Sequence, residues 1–167
     1  MQPLEPPDTH YFAAAIGWLE LGNRAEAKLE LAQIRPALQS HPDVLEVRWA
    51  ISAEEENWPE GLLVARALIQ SAPKRSSGWL HQAYALRRVP EGGLKQAWDA
   101  LLPVFEQFPQ ELLVPYNLSC YACQMGQLED ARVWLKRALL LGPKEKTKTM
   151  ALQDPDLAPL WSEIPQW

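Results

Sequence analysis

Only two cysteines, Cys120 and Cys123, occur among 167 residues, so no disulfide framework can brace the fold. Glycine is scarce, at 8, and no alternating apolar run is bounded by Asn-Gly or Asp-Gly, so the hairpin signals of a β-sheet are missing. No apolar run reaches the ~18 residues that would cross a bilayer. The stretch ahead of the first apolar segment holds Glu5 and Asp8 but no lysine or arginine, unlike a secretory leader. These absences lead to the expectation of a cytoplasmic chain without membrane contact. Basic side chains form no stripe interleaved with aromatics. With 16 Lys and Arg against 21 Asp and Glu, the net charge is −5, and nucleic acid is not an expected partner. The densest basic group, Lys144, Lys146 and Lys148, is interrupted by Glu145 and reads as a solvated helix end meeting the helix dipole.

What the chain has instead is a repeat. Gly126, Ala131, Leu135, Ala138 and Pro143 step by 5, 4, 3 and 5 residues, and the same steps join Gly92, Ala97, Leu101, Val104 and Pro109. They recur in Glu56, Gly61, Ala65, Leu68 and Pro73, and in Gly22, Ala27, Leu31 and Ile34, where Pro42 follows late. Steps of 3 and 4 place each set on one stripe of an α-helix, with small residues where a neighbouring helix must come close. The residue before each stripe marks a tight turn, and the closing proline cannot continue the hydrogen-bond ladder. Each unit is therefore expected to be a helical hairpin, with Trp79, Ala83 and Leu86, or Tyr116, Leu118, Tyr121 and Ala122, supplying first helices. The fold class is all-α, and 47% apolar residues suffice for the core of one domain. Of the 15 prolines, those at 42, 73, 109, 143 and 155 fall at expected helix boundaries. Pro36 and Pro103 fall inside expected second helices, which they should bend.

A period near 34 residues, with a turn glycine, Ala-x3-large in the second helix and a terminal proline, resembles the tetratricopeptide repeat (TPR) family. The unit ending at Pro143 carries the pattern most fully, in Leu118, Ser119, Gly126, Ala131, Leu135, Ala138 and Pro143. Elsewhere Glu56 replaces the turn glycine, Gly61 the packing alanine and Trp49 a small residue; about two extra residues enter the Arg87 to Gly93 turn, and Pro115 replaces an aromatic. The resemblance implies a right-handed superhelical α-solenoid of four repeats, about 8–42, 43–73, 74–109 and 110–143, followed by a linking helix and a capping helix over 144–167. In the cap, Asp154 and Pro155 begin a helix, and Leu157, Leu160, Trp161 and Ile164 at i, i+3, i+4 and i+7 form its apolar stripe. That lid covers the last repeat, or alternatively Trp161 and Trp167 occupy the groove of the same chain or of a second one, the latter giving a homodimer. Seven tryptophans, Trp18, Trp49, Trp58, Trp79, Trp98, Trp134 and Trp161, are expected to serve as core.

The Cys120-x-x-Cys123 spacing lies mid-helix in this register. Side chains three apart on a helix have Cβ atoms about 5–6 Å apart, against roughly 3.8 Å in a disulfide. A redox pair opens a helix after a strand, and a zinc site needs two further ligands that His10, His41 and His81 do not supply. Ser-His-Asp, Gly-rich phosphate-binding and His-Glu-x-x-His patterns are missing. The expectation is a non-enzymatic protein with no cofactor and no metal. The resemblance further implies that first helices line a concave groove for a peptide or protein segment, here with Tyr84, Arg87, Arg88, Tyr116, Asn117, Cys120 and Gln124. Tyrosine gives rigid contact area, arginine a carboxylate fork, and asparagine or glutamine backbone hydrogen bonds. Alternatively Arg87 and Arg88 pair with Glu54, Glu55 or Glu56. Of the family's chaperone-tail clamp, only Asn117 matches a site. An interaction scaffold is the principal reading, with a small secretion-type chaperone and a CxxC oxidoreductase as alternatives.

Overall fold

The computed structural model describes residues 3–167, and among them every regular element is helical. Ten α-helices follow in order: α1 (Asp8–Glu20), α2 (Arg24–Gln33), α3 (Pro42–Glu54), α4 (Trp58–Ser71), α5 (Ser76–Leu86), α6 (Leu94–Leu101), α7 (Val104–Gln107), α8 (Leu113–Gln124), α9 (Leu128–Leu141) and α10 (Lys144–Gln153). Short 3₁₀ helices occupy Pro36–Leu38, Pro155–Leu160 and Ile164–Gln166. No described helix is long and apolar enough to cross a membrane. The helices group into two compact units, one up to His81 and one from Gln82.

The stepped residues explain the hairpins. All twelve at the first three positions after the turns are buried: Ala27, Gly61, Ala97 and Ala131; Leu31, Ala65, Leu101 and Leu135; Ile34, Leu68, Val104 and Ala138. In the first unit α1 packs on α2 and α3 on α4. Ala15, Ala27, Leu31, Ile34, Leu38, Val44, Val47 and Ile51 form one core there, against which Tyr11, Phe12 and Ile16 pack. Asp8, fully buried at the start of α1, accepts bonds from the Arg35 backbone N–H at 2.8 Å and the Arg35 Nε at 2.6 Å. The backbone bond does most to hold its carboxyl below the usual range, burial opposing and the guanidinium assisting. At the start of α5, Ser77 donates to Glu46 and His81 Nε2 lies 2.8 Å from the same carboxylate, while the His81 ring stacks on Trp49 at 3.6 Å.

The hairpin turns share one solution. In three of them the second residue past the first helix is left-handed, Gly22 at φ 75°, Gly126 at φ 75° and Glu56 at φ 54°. The next amide donates five residues back, Asn23 to Trp18, Asn57 to Ser52 and Gln127 to Ala122, each at 2.8 Å. This is the Schellman closure, which satisfies carbonyls left over at a helix end. Asn23 and Asn57 then cap the second helices by accepting from the Glu26 and Glu60 amides. In the fourth turn the Gly93 amide reaches seven residues back to Leu86, which accommodates the two extra residues. A Cβ on Gly92 would stand 1.9 Å from the Leu86 carbonyl oxygen, so only glycine fits.

The α3–α4 hairpin carries two exceptions to the repeat that can be corrected. Glu56 holds a conformation that costs a non-glycine residue roughly 1–2 kcal/mol, and glycine gives back about 0.4–1 of that in the unfolded chain. A Cβ on Gly61 would meet Ser52 and Trp49 at ordinary contact distances, 3.7 and 3.8 Å, so alanine fits and gains about 1 kcal/mol of helix propensity. Glu56→Gly and Gly61→Ala should each raise the urea midpoint, and a fall with Gly61→Ala would mean that Trp49 leaves no room for the methyl.

Three expectations are corrected. Pro36 ends its helix instead of bending it: α2 stops at Gln33, and Ile34 and Arg35 are extended, at ψ 134° and 140°, because a residue before proline avoids the helical region. Pro103 divides its helix into α6 and α7, yet Leu102 and Pro103 keep helical angles, so the ladder breaks while the chain continues. The tail is not one α-helix but two 3₁₀ helices. Pro159 lies four residues after Pro155, where its ring would strike the Pro155 carbonyl of an α-helix. The tryptophans also differ from expectation. Trp49, Trp58, Trp79, Trp98 and Trp134 are half-buried, Trp18 and Trp161 are exposed, and the deepest positions belong to alanine and aliphatic residues.

Candidate functional site

In the second unit, α8 packs against α9 on one side and the 3₁₀ tail on another. Nine of its residues, from Val114 through Cys123, are buried. The tail seats Leu157, Leu160 and Ile164 fully buried, with the first two three residues apart as a 3₁₀ helix aligns them. The same geometry turns Trp161 outward, its indole N–H donating to the Ala151 carbonyl at 3.0 Å. Arg132 of α9 clasps Glu163 through two bonds of 2.8 and 2.7 Å.

The polar contacts of the tail converge on the expected groove residues. Arg87, just past α5, grips both carboxylate oxygens of Asp156, one of them at 2.8 Å. The Tyr116 hydroxyl donates to Asp154 Oδ2 at 3.0 Å and the Cys120 thiol lies 3.5 Å from the same oxygen. The Gln124 amide donates to the Asp156 carbonyl at 3.1 Å. Asp154 Oδ1 accepts from the Asp156 amide at 3.0 Å, capping the 3₁₀ helix. Thus four expected residues, Arg87, Tyr116, Cys120 and Gln124, meet one segment of the chain itself. The other three make contacts of a different kind. Arg88 stacks over the Tyr84 ring at 3.6 Å and donates to the Tyr84 carbonyl, and Asn117 donates to the Leu113 carbonyl within its own helix. Of the alternative partners for the arginines, Glu54, Glu55 and Glu56, the first two pair with Arg24 and Lys28.

The electrostatics are those of half-buried carboxylates facing donors. The Asp156 hydrogen bond holds Arg87 more firmly protonated than usual, against the opposing effect of burial. Burial, then the nearby carboxylates, pushes the Cys120 thiol far up, and burial also raises Cys123. Both are free and buried and hold their protons at neutral pH, the opposite of a nucleophilic or redox thiolate. Burial likewise raises the Tyr116 phenol, which keeps it a donor. Cys120, Asp154 and Asp156 bring three potential ligand atoms within 4.8 Å, but the Arg87 cation already occupies Asp156. Beside the seated segment runs an open groove of about 810 Å³, bordered by Leu112, Tyr116, Met150, Gln153, Asp154 and Pro155.

Among solved structures, the ArsTM double mutant of MamA RS-1 superposes with a TM-score of 0.68 at 14% identity, over 83% of this chain and 76% of that one. A thermophilic TPR protein of Thermus thermophilus, TTC0263, superposes with a TM-score of 0.66 at 16% identity, over 96% of this chain and 100% of that one. The fold is TPR-like. No protein-family model and no curated protein matches the sequence. At these identities the TPR likeness carries the backbone arrangement, and the ligand must be argued from side chains. Of Asp154 and Asp156, the centre of the site, the sequence marks only Asp154, as a helix cap. Their signal was two carboxylates on the only segment expected to fold back over α8.

Proposed function

We propose that the chain is a non-enzymatic interaction scaffold that binds a peptide or protein segment on the face formed by α8 and the end of α5. Its residues are Tyr84, Arg87, Arg88, Tyr116, Asn117, Cys120 and Gln124. One observation carries the reading: four of these seven hold a single short peptide segment, through a guanidinium fork, a phenol, a thiol and a carboxamide, each presenting a donor. Tyr84, Arg88 and Asn117 add aromatic, cationic and amide groups suited to a longer ligand. Two protonated, buried thiols argue against thiol chemistry and suit a reducing, cytoplasmic setting.

The test is an array of immobilised peptides probed with the full chain and with a Tyr84→Ala/Arg88→Ala variant. The variant keeps Arg87, Tyr116, Cys120 and Gln124 on the tail. The expected result is a subset of peptides held by the wild type and released at least tenfold by the variant, with matching circular dichroism. Equal retention by two folded proteins would remove this surface from the reading.

A further inference from the structure

We propose that Asp154–Leu160 is a built-in ligand: the α8 face is specific for an acidic protein segment with two carboxylates two residues apart and a following leucine, and the chain's own copy is the occupant that such a partner displaces. This inference rests on the interaction surface proposed above and names its partner chemistry and its regulation.

The argument begins with what a mere cap would need. Leu157, Leu160 and Ile164 already bury the tail's apolar stripe, and a lid that only closed a core could point polar residues to water. This tail instead turns two carboxylates inward. Asp156 lies across a guanidinium fork, the bidentate geometry that singles out carboxylates. Asp154 sits on a phenol and a thiol, and the backbone between Asp156 and Leu157 is read by Gln124. All four of these groups from α8 and the end of α5 present donors to the turn, so the surface complements an anion and would leave a neutral segment's partners unsatisfied. Pro155 and Pro159 restrict the segment's backbone, which lowers the ordering entropy that any peptide loses on binding. The open groove bordered by Tyr116, Asp154 and Pro155 gives an incoming segment a place to land beside the one it replaces. Because the resident copy is tethered, it competes at an effective concentration on the order of millimolar, so the closed chain binds weakly and a loosened tail binds well.

The test uses fluorescence anisotropy with a labelled nine-residue peptide copying residues 153–161 and a twin in which both aspartates are asparagine. Each is titrated with the full-length wild type, Asp156→Asn and Leu157→Ala. The two variants loosen the same segment by independent routes, one through its charge and one through its apolar anchor, and neither alters Arg87. The expected result is weak binding of the acidic probe by the wild type, at least tenfold tighter binding by either variant, and no gain for the asparagine twin. Adding Arg87→Ala to the tighter-binding variant should abolish the gain. If neither variant gains affinity for the acidic probe, or if the twin gains equally, the inference falls. Failure here with array peptides still dependent on Tyr84 and Arg88 overturns only the built-in ligand, whereas no peptide binding in either experiment overturns the surface as well.

Discussion

Leu160→Ala should destabilise the second unit by about 2–5 kcal/mol, the range for truncating a fully buried leucine into a cavity. Trp161→Ala, one residue on, should lose far less. The contrast separates two geometries. On an α-helix, Leu157, Leu160, Trp161 and Ile164 would share a stripe, and the larger tryptophan would be the greater loss. In the 3₁₀ tail, Leu160 is 0% exposed and Trp161 is 39% exposed, so the indole forfeits only partial burial and one bond to Ala151. Urea unfolding followed by far-ultraviolet circular dichroism measures both. A larger loss at Trp161 would show that the tail is α-helical in solution and that Leu160 is not its anchor.

The hairpins were legible because their determinants are local. The 5-4-3 spacing reports helix geometry directly, and the left-handed turn appears either as glycine or, at Glu56, as the same conformation at a position where the register demands it. Even the two extra residues before Gly93 left their mark, as a longer reach of one amide. In the tail two local signals conflict: the apolar spacing fits an α-helix, while Pro159 forbids the α form. The tryptophans misled for a different reason. Helix pairs that approach closely need alanine between them, and an indole fits only at the margin of such a contact, as the edge-on Trp98–Trp134 and Phe105–Trp134 contacts show. The partner of Arg87 was out of reach of local reasoning. It lies 69 residues away, and nothing in spacing or propensity says which face the tail will cover.

Removing that partner is the second large effect. Arg87 and Asp156 are 20% and 23% exposed at the side chain, between the exposed pairs worth about 0.2–1 kcal/mol and the buried pairs whose breaking costs about 3–5 kcal/mol. Arg87→Ala should therefore destabilise the second unit by roughly 1.5–3 kcal/mol, the range for a hydrogen bond to a charged group. A double-mutant cycle with Asp156→Asn should give a coupling of about 1–2 kcal/mol, within the usual span for contacting residues. Arg87→Lys should recover less than half of the loss, because an ammonium offers a point charge where Asp156 meets a planar fork. These values discriminate between two accounts of the tail. If leucines alone hold it, the coupling falls below about 0.5 kcal/mol, the lower end for contacting residues, and the aspartates are ornaments of a cap. A coupling above about 1 kcal/mol means that the α8 face selects carboxylates by geometry, and the selection would act on any acidic segment that reached it.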